Sequence, residues 1–299
     1  MNNEISYNIA MFAYNEETNL KMSLEAVFAN SNSSLKTVYL LANGCTDKTV
    51  ELAYSLKQEH SFDKLEIVEI KLGDKCNAWN VYVHDIADNL DCHFFIDTDC
   101  IFSKNCFPLL ATKLYESASQ VNIIAGMPLT GRNVKLYQSL VTTKSCFFGN
   151  LYGMHKHYLT MIREKSFRLP IGLNWIDSFL TKAANTDIQF LDHNLVNRVT
   201  HLENVGFNFD SLSPFKIDDI TLYKNRIARY ELGNIQEIYL DQLAFSNWPT
   251  DMHGINVDIK ANFEAKTKQL GAIKKYLVKR RLNNLINKYA SANKLKVLA

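Results

Sequence analysis

Five short apolar runs punctuate the first 125 residues: 8–13, 37–42, 65–70, the run ending in Phe94-Phe95-Ile96, and 121–125. Between them, apolar residues recur at helical spacing. Leu20, Leu24, Val27 and Phe28 form one such set, and Val50, Leu52, Ala53 and Leu56 the next. Ala78, Val81 and Ile86 follow, then Leu109, Leu110 and Leu114. Strand-length runs that alternate with helical periodicity predict a parallel, doubly wound α/β sheet flanked by helices. In such a sheet every strand's carboxyl end feeds a loop on the same edge, where α/β proteins bind nucleotides.

The four loops expected on that edge are polar. The first carries Tyr14, Asn15 and Glu16. The second runs from Asn43-Gly44, a turn signal, to Thr46 and Asp47, either of which suits a helix N-cap. The third is Gly73-Asp74-Lys75, and the fourth Asp97-Thr98-Asp99. Side chains two apart share one side of an extended chain, so Asp97 and Asp99 can converge on a hard cation. Mg²⁺ and Mn²⁺ use one or two carboxylates together with substrate phosphate oxygens. Alone, Asp-x-Asp fits an aspartate-rich turn equally well. Taken together, an aromatic ring, an amide, a cation and two carboxylates on one rim suit a nucleoside diphosphate attached to another group.

The four loops, in order and at their spacing, resemble glycosyltransferase family two, whose members have the GT-A fold. The resemblance covers residues 7–108. It rests on Tyr14-Asn15-Glu16 with Leu20, on Asn43-Gly44-Cys45-Thr46-Asp47-Lys48-Thr49, on Gly73-x-Lys75-x-x-Ala78-x-Asn80, and on Asp97-Thr98-Asp99. It implies that Tyr14, Asn15, Glu16 and Asn43 hold the base and ribose of a nucleotide-sugar. It places Lys75, Asp97 and Thr98 at the donor, and a Mn²⁺ or Mg²⁺ ion at Asp97 and Asp99. The family usually has an aspartate where this chain has Asn43; an asparagine can both accept and donate a hydrogen bond, so uracil and guanine both stay open, with a UDP-sugar favoured.

The second half carries fainter echoes. Residues 169–180 resemble the family's acceptor-side motif, an acidic pair followed by leucine. Asp177 and Leu180 match, and Ile176 replaces the first acid. The resemblance makes Asp177 the catalytic base, although an aspartate at a helix N-terminus is also favoured by the macrodipole alone. Residues 223–236 resemble a degenerate Gln-x-x-Arg-Trp motif, with Arg226 at the glutamine and Arg229-Tyr230 at the end. That mismatch, and the absence of an apolar run long enough to span a bilayer, imply a non-processive enzyme in which Arg229 reaches the donor phosphate. In some GT-A enzymes a histidine from this half completes the metal or phosphate site, which makes His201 a third metal candidate. Trp79, Trp175 and Trp248 read as packing residues.

Charge divides the chain unevenly. From Lys260 onward there are eleven Lys and Arg against one acid, Glu264, while residues 1–259 carry 22 positive and 30 negative side chains. Ser213-Pro214 suits a helix start and Gly233 a helix stop. A basic amphipathic helix through Leu270, Leu277, Leu282 and Tyr289 follows, and it suits either packing on the body or docking to an anionic membrane surface through residues 260–299. The six cysteines show no C-x-x-C pair and read as reduced thiols of a cytoplasmic protein. No signal peptide is visible at the N-terminus.

The expected organisation is a GT-A domain over residues 1–212, with a nucleotide-sugar half (1–108) and an acceptor half (109–212), then a helical region over 213–299. The expected activity is metal-dependent transfer of a sugar from a nucleotide-sugar to a hydroxyl on a glycan or lipid-linked sugar, with inversion. No nucleic-acid partner is expected. A sugar-nucleotide nucleotidyltransferase is disfavoured, because residues 14–17 lack the Gly-rich loop those enzymes carry. An inactive scaffold relative is the non-enzymatic alternative.

Overall fold

The computed structural model describes residues 5–209 and 217–297. In chain order the elements begin with β1 (Tyr7–Ala13), α1 (Leu20–Ala29), β2 (Leu35–Asn43), α2 (Thr49–Glu59), β3 (Leu65–Ile70) and α3 (Lys75–Val81). A π turn, Tyr82–Ile86, extends α3. Next come β4 (Cys92–Asp97), β5 (Cys100–Phe102), α4 (Cys106–Tyr115), β6 (Ile123–Pro128), α5 (Val134–Lys144), β7 (Leu151–His155), α6 (Lys156–Glu164), α7 (Ile176–Asn185) and β8 (Val199–Phe209). The chain ends with α8 (Ile217–Asp241), α9 (His253–Ala261), α10 (Phe263–Lys266) and α11 (Ala272–Val297). The described residues fall into two compact units, drawn from Met1–Arg168 with Leu180–Ser211 and from Leu169–Phe179 with Leu212–Ala299.

The first unit holds an eight-stranded sheet in the order β3-β2-β1-β4-β7-β6-β8-β5. Its first four strands are parallel, as the alternation predicts. β7 then runs antiparallel to both β4 and β6, and β5 antiparallel to β8. β7 was not expected from its short, glycine-interrupted sequence. The packing explains the glycine: a Cβ at Gly153 would stand 2.7 Å from the Phe94 ring and 2.8 Å from Ile124.

Burial on both faces explains the continuous apolar runs. All seven residues of β1 are buried. Successive side chains of β4 point to opposite faces. Phe94 meets Tyr7 and Phe107 with ring centroids 5.3 Å away in each case. Phe95 stacks on Tyr152 at 4.8 Å and on Trp79 at 6.3 Å. Each fully buried phenylalanine contributes about 1.5–3 kcal/mol of transfer free energy. Two large rings per face thus fix the height at which β4 ends, and so where Asp97 emerges.

The second unit is helical and has its own core, formed by Leu232, Ile235, Ile259, Phe263, Val278 and Leu282. Here one expectation is corrected. Gly233 does not stop a helix; α8 continues through it to Asp241. The glycine instead permits close approach, since a Cβ there would stand 2.6 Å from Cβ of Trp175 and 3.0 Å from the Asn174 carbonyl. The start expected at Ser213-Pro214 lies outside the described residues. At α2 the N-cap position falls to Lys48, one residue later than expected, while Asp47 still accepts the Thr49 backbone N–H at 3.1 Å.

Candidate active site

β1, β2, β3 and β4 are neighbours and parallel, so their carboxyl ends lie along one rim. β1 is flanked by β2 on one side and β4 on the other, which makes the β1/β4 junction the point where the strand order reverses. Ligands of open α/β sheets bind at that point. Asp97 stands there, paired in register with Phe12.

The loops of the rim are fastened to one another. Asn15 adopts a left-handed conformation (φ 56°) that asparagine tolerates, and its Oδ1 accepts the Thr46 backbone N–H at 2.8 Å. The Glu16 N–H donates to Thr49 Oγ1 at 2.8 Å, and the Glu17 N–H to Asp47 at 3.1 Å. Two glycines bring the second and third loops into contact. A Cβ on Gly44 (φ 70°) would fall 2.4 Å from Cα of Gly73. A Cβ on Gly73 would fall 2.9 Å from Cε2 of Tyr14, so that ring lies over bare backbone with half its surface open. The Asn43 side chain is buried at the end of β2. Its amide nitrogen lies 3.5 Å from the Ala13 carbonyl, and among the described residues Oδ1 has no hydrogen-bond partner.

The Asp-x-Asp turn behaves as period two requires. Asp97 is half-buried, Asp99 exposed, and Thr98 between them is 2% exposed. The Thr98 side chain points the other way from the carboxylates, donating to the Phe12 carbonyl at 3.1 Å. It braces the turn from below. Two residues not anticipated from sequence share this work. The Ser23 hydroxyl of α1 lies 2.7 Å and 2.8 Å from the Thr98 and Cys100 carbonyls and accepts the Cys100 N–H at 3.2 Å. Asn150, just before β7, directs its amide toward Asp99 at 3.5 Å. Neither sits in a motif; both reach the turn only through the fold.

The rim is strongly acidic. Burial pushes the Glu16 carboxyl up; a hydrogen bond from Asn19 opposes this, and the charges of Asp99, Asp97 and Asp47 add to the rise. Burial also pulls Asp47 upward, but hydrogen bonds from Thr49 and the backbone outweigh it and hold that carboxyl below its ordinary range. Into this field projects Lys75, whose Nζ lies 2.5 Å from Oδ1 of Asp97 and 5.3 Å from the Phe12 ring centroid. Lys75 opens α3, where the macrodipole disfavours a cation. Asp97 offsets that cost. A cation therefore already occupies one lobe of the carboxylate pair, and the donor set fits a hard divalent ion whose other ligands come from phosphate oxygens.

His201 does not join this pair. It lies on β8, in register with Ala125 of β6. The order β4-β7-β6-β8 puts three strand spacings between it and β4, roughly 14 Å. Among the described residues no group of three or more His, Cys, Asp or Glu gathers as a metal site.

Asp177 belongs to the second unit, in the first turn of α7. The turn before it is held tightly. Trp175 has a left-handed backbone (φ 52°), unusual for a bulky residue. Its ring meets Tyr230 at 5.6 Å. The buried Gln236 side chain accepts from the Asn174 backbone N–H at 2.8 Å and from its amide at 3.1 Å, and donates to Asn256 at 2.8 Å. Arg281 Nε donates to the Asn174 side-chain oxygen at 2.5 Å. Asp177 is half-exposed and, among the described residues, has no hydrogen-bond or ion-pair partner. Arg229 is exposed on α8, its guanidinium 5.9 Å from the neighbouring Tyr230 ring.

The model of the family described as glycosyl transferase family 2 matches residues 8–167, more than half of the chain. Among solved structures, the chain is similar to a mannosyltransferase, PcManGT from Pyrobaculum calidifontis, in complex with GDP-Man and Mn²⁺. The two share 16% identity and a TM-score of 0.59, over 96% of this chain and 75% of that one. It is also similar to glucosyl-3-phosphoglycerate synthase from Mycobacterium tuberculosis, in complex with Mn²⁺, UDP and phosphoglyceric acid. There identity is 15% and the TM-score 0.50, over 76% and 77% of the chains. S. aureus TarS 1–349 matches over 96% of this chain and 92% of its own, with 11% identity and a TM-score of 0.50. No curated protein sequence matches the chain. These structural likenesses establish the fold, an α/β GT-A architecture with a helical C-terminal region.

Proposed function

We propose that this chain, which belongs to glycosyl transferase family 2 and is therefore a glycosyltransferase, moves a sugar from a nucleoside diphosphate donor to an acceptor hydroxyl in a divalent-metal-dependent reaction. The observation that carries the proposal is the Asp97–Asp99 turn at the β1/β4 junction, its carboxylates on one side and Thr98 braced on the other. Asp97 and Asp99 would hold Mn²⁺ or Mg²⁺. When bound, the metal supplies positive charge against the diphosphate leaving group. The Mn²⁺ in the mannosyltransferase and synthase complexes supports that choice of ion.

The chain's own residues have distinct tasks in this reading. Tyr14 offers an open ring for stacking a base. Asn43 Oδ1, without a partner among the described residues, accepts from a base N–H, a property that uracil and guanine share; a UDP-sugar is the favoured donor. Asn15 locks the first loop to the second, and Glu16 faces the ribose side of the rim. Lys75, which pairs with Asp97, would supply positive charge to the donor phosphates when the ion is bound. Arg229 adds positive charge for the same phosphates. Asp177 takes the acceptor proton as the hydroxyl attacks the anomeric carbon. Among the described residues it has no partner, which leaves the carboxylate available for that role. Attack opposite the leaving group inverts the carbon, giving a β-linked product from an α-linked donor. The acceptor is a glycan or a lipid-linked sugar.

A donor-hydrolysis screen across UDP- and GDP-sugars, with Mn²⁺, with Mg²⁺ and with a chelator, tests the proposal. Release of nucleoside diphosphate from one donor, lost on chelation, is the expected result. Activity that is indifferent to the chelator would remove the metal from the account, and pyrophosphate release from a nucleoside triphosphate would replace transfer with nucleotidyl chemistry.

A further inference from the structure

Asp97 and Asp99 are held by different means. Asp97 is paired with a cation, Lys75. Asp99 is met by two neutral donors among the described residues, and both reach the same oxygen. The Cys100 thiol donates to Asp99 Oδ1 at 3.3 Å, and the Asn150 amide nitrogen lies 3.5 Å from that atom. The same amide donates to Cys100 Sγ at 3.3 Å. A thiol offers one S–H donor and a weak acceptor sulfur. Here the first goes to Asp99 and the second to Asn150. Cys100 is fully buried, and burial in apolar surroundings keeps a thiol protonated, so the donor is present at neutral pH.

Three elements fix this chain of contacts. Cys100 opens β5 and pairs with Phe209 of β8. Its N–H donates to Ser23 Oγ of α1 at 3.2 Å, and its carbonyl lies 2.8 Å from the same hydroxyl. That clamp fixes the backbone from which the sulfur projects. Asn150 precedes Leu151, whose register opposite Ile96 seats the asparagine beside the end of β4. Leu151 is itself packed over Gly126, where a Cβ would stand 2.5 Å from Leu151 Cγ. The contacts aim the carboxylate without neutralising it. Two donors on Oδ1 set the plane of the Asp99 carboxylate, and neither carries a charge to offset its own. Carboxylates that ligate metals are themselves hydrogen-bonded in this manner, and losing such a partner weakens the hold on the ion.

We propose that Cys100 and Asn150 are positioning residues, which aim the Asp99 carboxylate at the divalent ion of the donor site. The inference rests on the reading of the Asp97–Asp99 turn as that site.

The test measures the Mn²⁺ concentration that gives half-maximal binding of UDP, and of GDP in parallel, by titration calorimetry on the full chain. In Cys100→Ala and in Asn150→Ala that concentration rises at least about tenfold, the effect of losing a group that orients a metal ligand. In Cys100→Ser it returns close to the wild-type value, because a hydroxyl keeps both a donor and an acceptor. A role confined to packing predicts the opposite, with serine, smaller than cysteine and polar, faring no better than alanine. Thermal unfolding in the presence of a chelator is the control for the fold. Asn150 is half-buried, so its truncation keeps the test open if the substitution at the buried thiol lowers stability. Equal Mn²⁺ requirements in the wild type and both alanine variants overturn the proposal while the donor-site reading stands. A loss in Cys100→Ala that serine does not restore overturns it as well. A wild type that binds neither nucleotide in the presence of Mn²⁺ removes the donor-site reading, and this inference with it.

Discussion

The rim of the first unit and a cleft between α8 and α11 in the second differ in construction. The rim collects Glu16, Asp47, Asp97 and Asp99, with Lys75 paired to Asp97. The cleft brings together Lys224, Arg280, Arg281 and Lys288. The rim is built from backbone. Its loops leave four adjacent parallel strands and are pinned by main-chain N–H groups donating to the Asn15 and Thr49 side chains and by the contact of two glycines. The cleft is built from side chains on two helices, and a single polar network around Gln236 and Arg281 ties that unit to the turn before Asp177. Loops pinned to one another suit a site that demands defined geometry; a cleft lined by long side chains on two helices is the more adaptable of the two.

That contrast can be broken most decisively at Asp177. Replacing it by asparagine removes the proposed base and keeps the shape, so the account expects transfer to fall about a thousandfold, within the range for a lost general base, while donor affinity on the rim stays unchanged. Steady-state turnover and donor titration on the same preparation check both halves. Weakened donor binding with turnover retained would place Asp177 in the donor site instead.

The next largest effects compare the two kinds of construction directly. In Gly44→Ala the new Cβ meets the Gly73 backbone at 2.4 Å from a left-handed conformation, which costs about 2–5 kcal/mol of stability through strain and overpacking. In Gln236→Leu the buried Asn174 and Asn256 groups lose their partner, at about 1–3 kcal/mol for each polar group left unsatisfied. Denaturant unfolding measures both. Donor binding separates them: Gly44→Ala loses it, and Gln236→Leu retains it because the rim is untouched.

The smallest expected effect is a pH dependence confined to the first unit. Burial, helped by the Arg163 charge, lowers the His93 pKa to about 4, against about 6.5 in an unfolded chain. Between those values the unfolded state binds the extra proton, so stability is complete above pH 6.5 and is lost as pH falls toward 4. His155 shifts in the same direction, to about 4. Denaturant midpoints across this range, in the wild type and in His93→Gln, measure the slope; the variant is expected to be flatter.

The rim and the cleft also differ in how far they could be read in advance. Asp97 and Asp99 were legible because alternation in an extended chain puts them on one side, and the loops beside them because each follows an apolar run. The brace under that turn was not. Ser23 and Asn150 approach it from 75 and 51 residues away in sequence, and short polar residues outside a periodic pattern carry no local signal. Gly233 misled for a physical reason: a glycine in a helical pattern reads as a stop, and only the proximity of Trp175 shows that it marks a close contact. His201 looked like a ligand by residue type, but its strand stands three places from β4. The basic helix was visible as composition, whereas the cleft it lines depends on how α8 lies against α11.

The central claim is that the Asp97–Asp99 turn holds a donor diphosphate through a divalent ion. Calorimetric titration of UDP and of GDP, each with Mn²⁺ and with a chelator, into the wild type and into Asp99→Ala tests it most directly. The account predicts binding of one nucleotide by the wild type that vanishes with the chelator and falls at least about a hundredfold in Asp99→Ala, as expected for removing a ligand to the bridging ion. Equal affinity in the two proteins, or affinity that survives chelation, would contradict it.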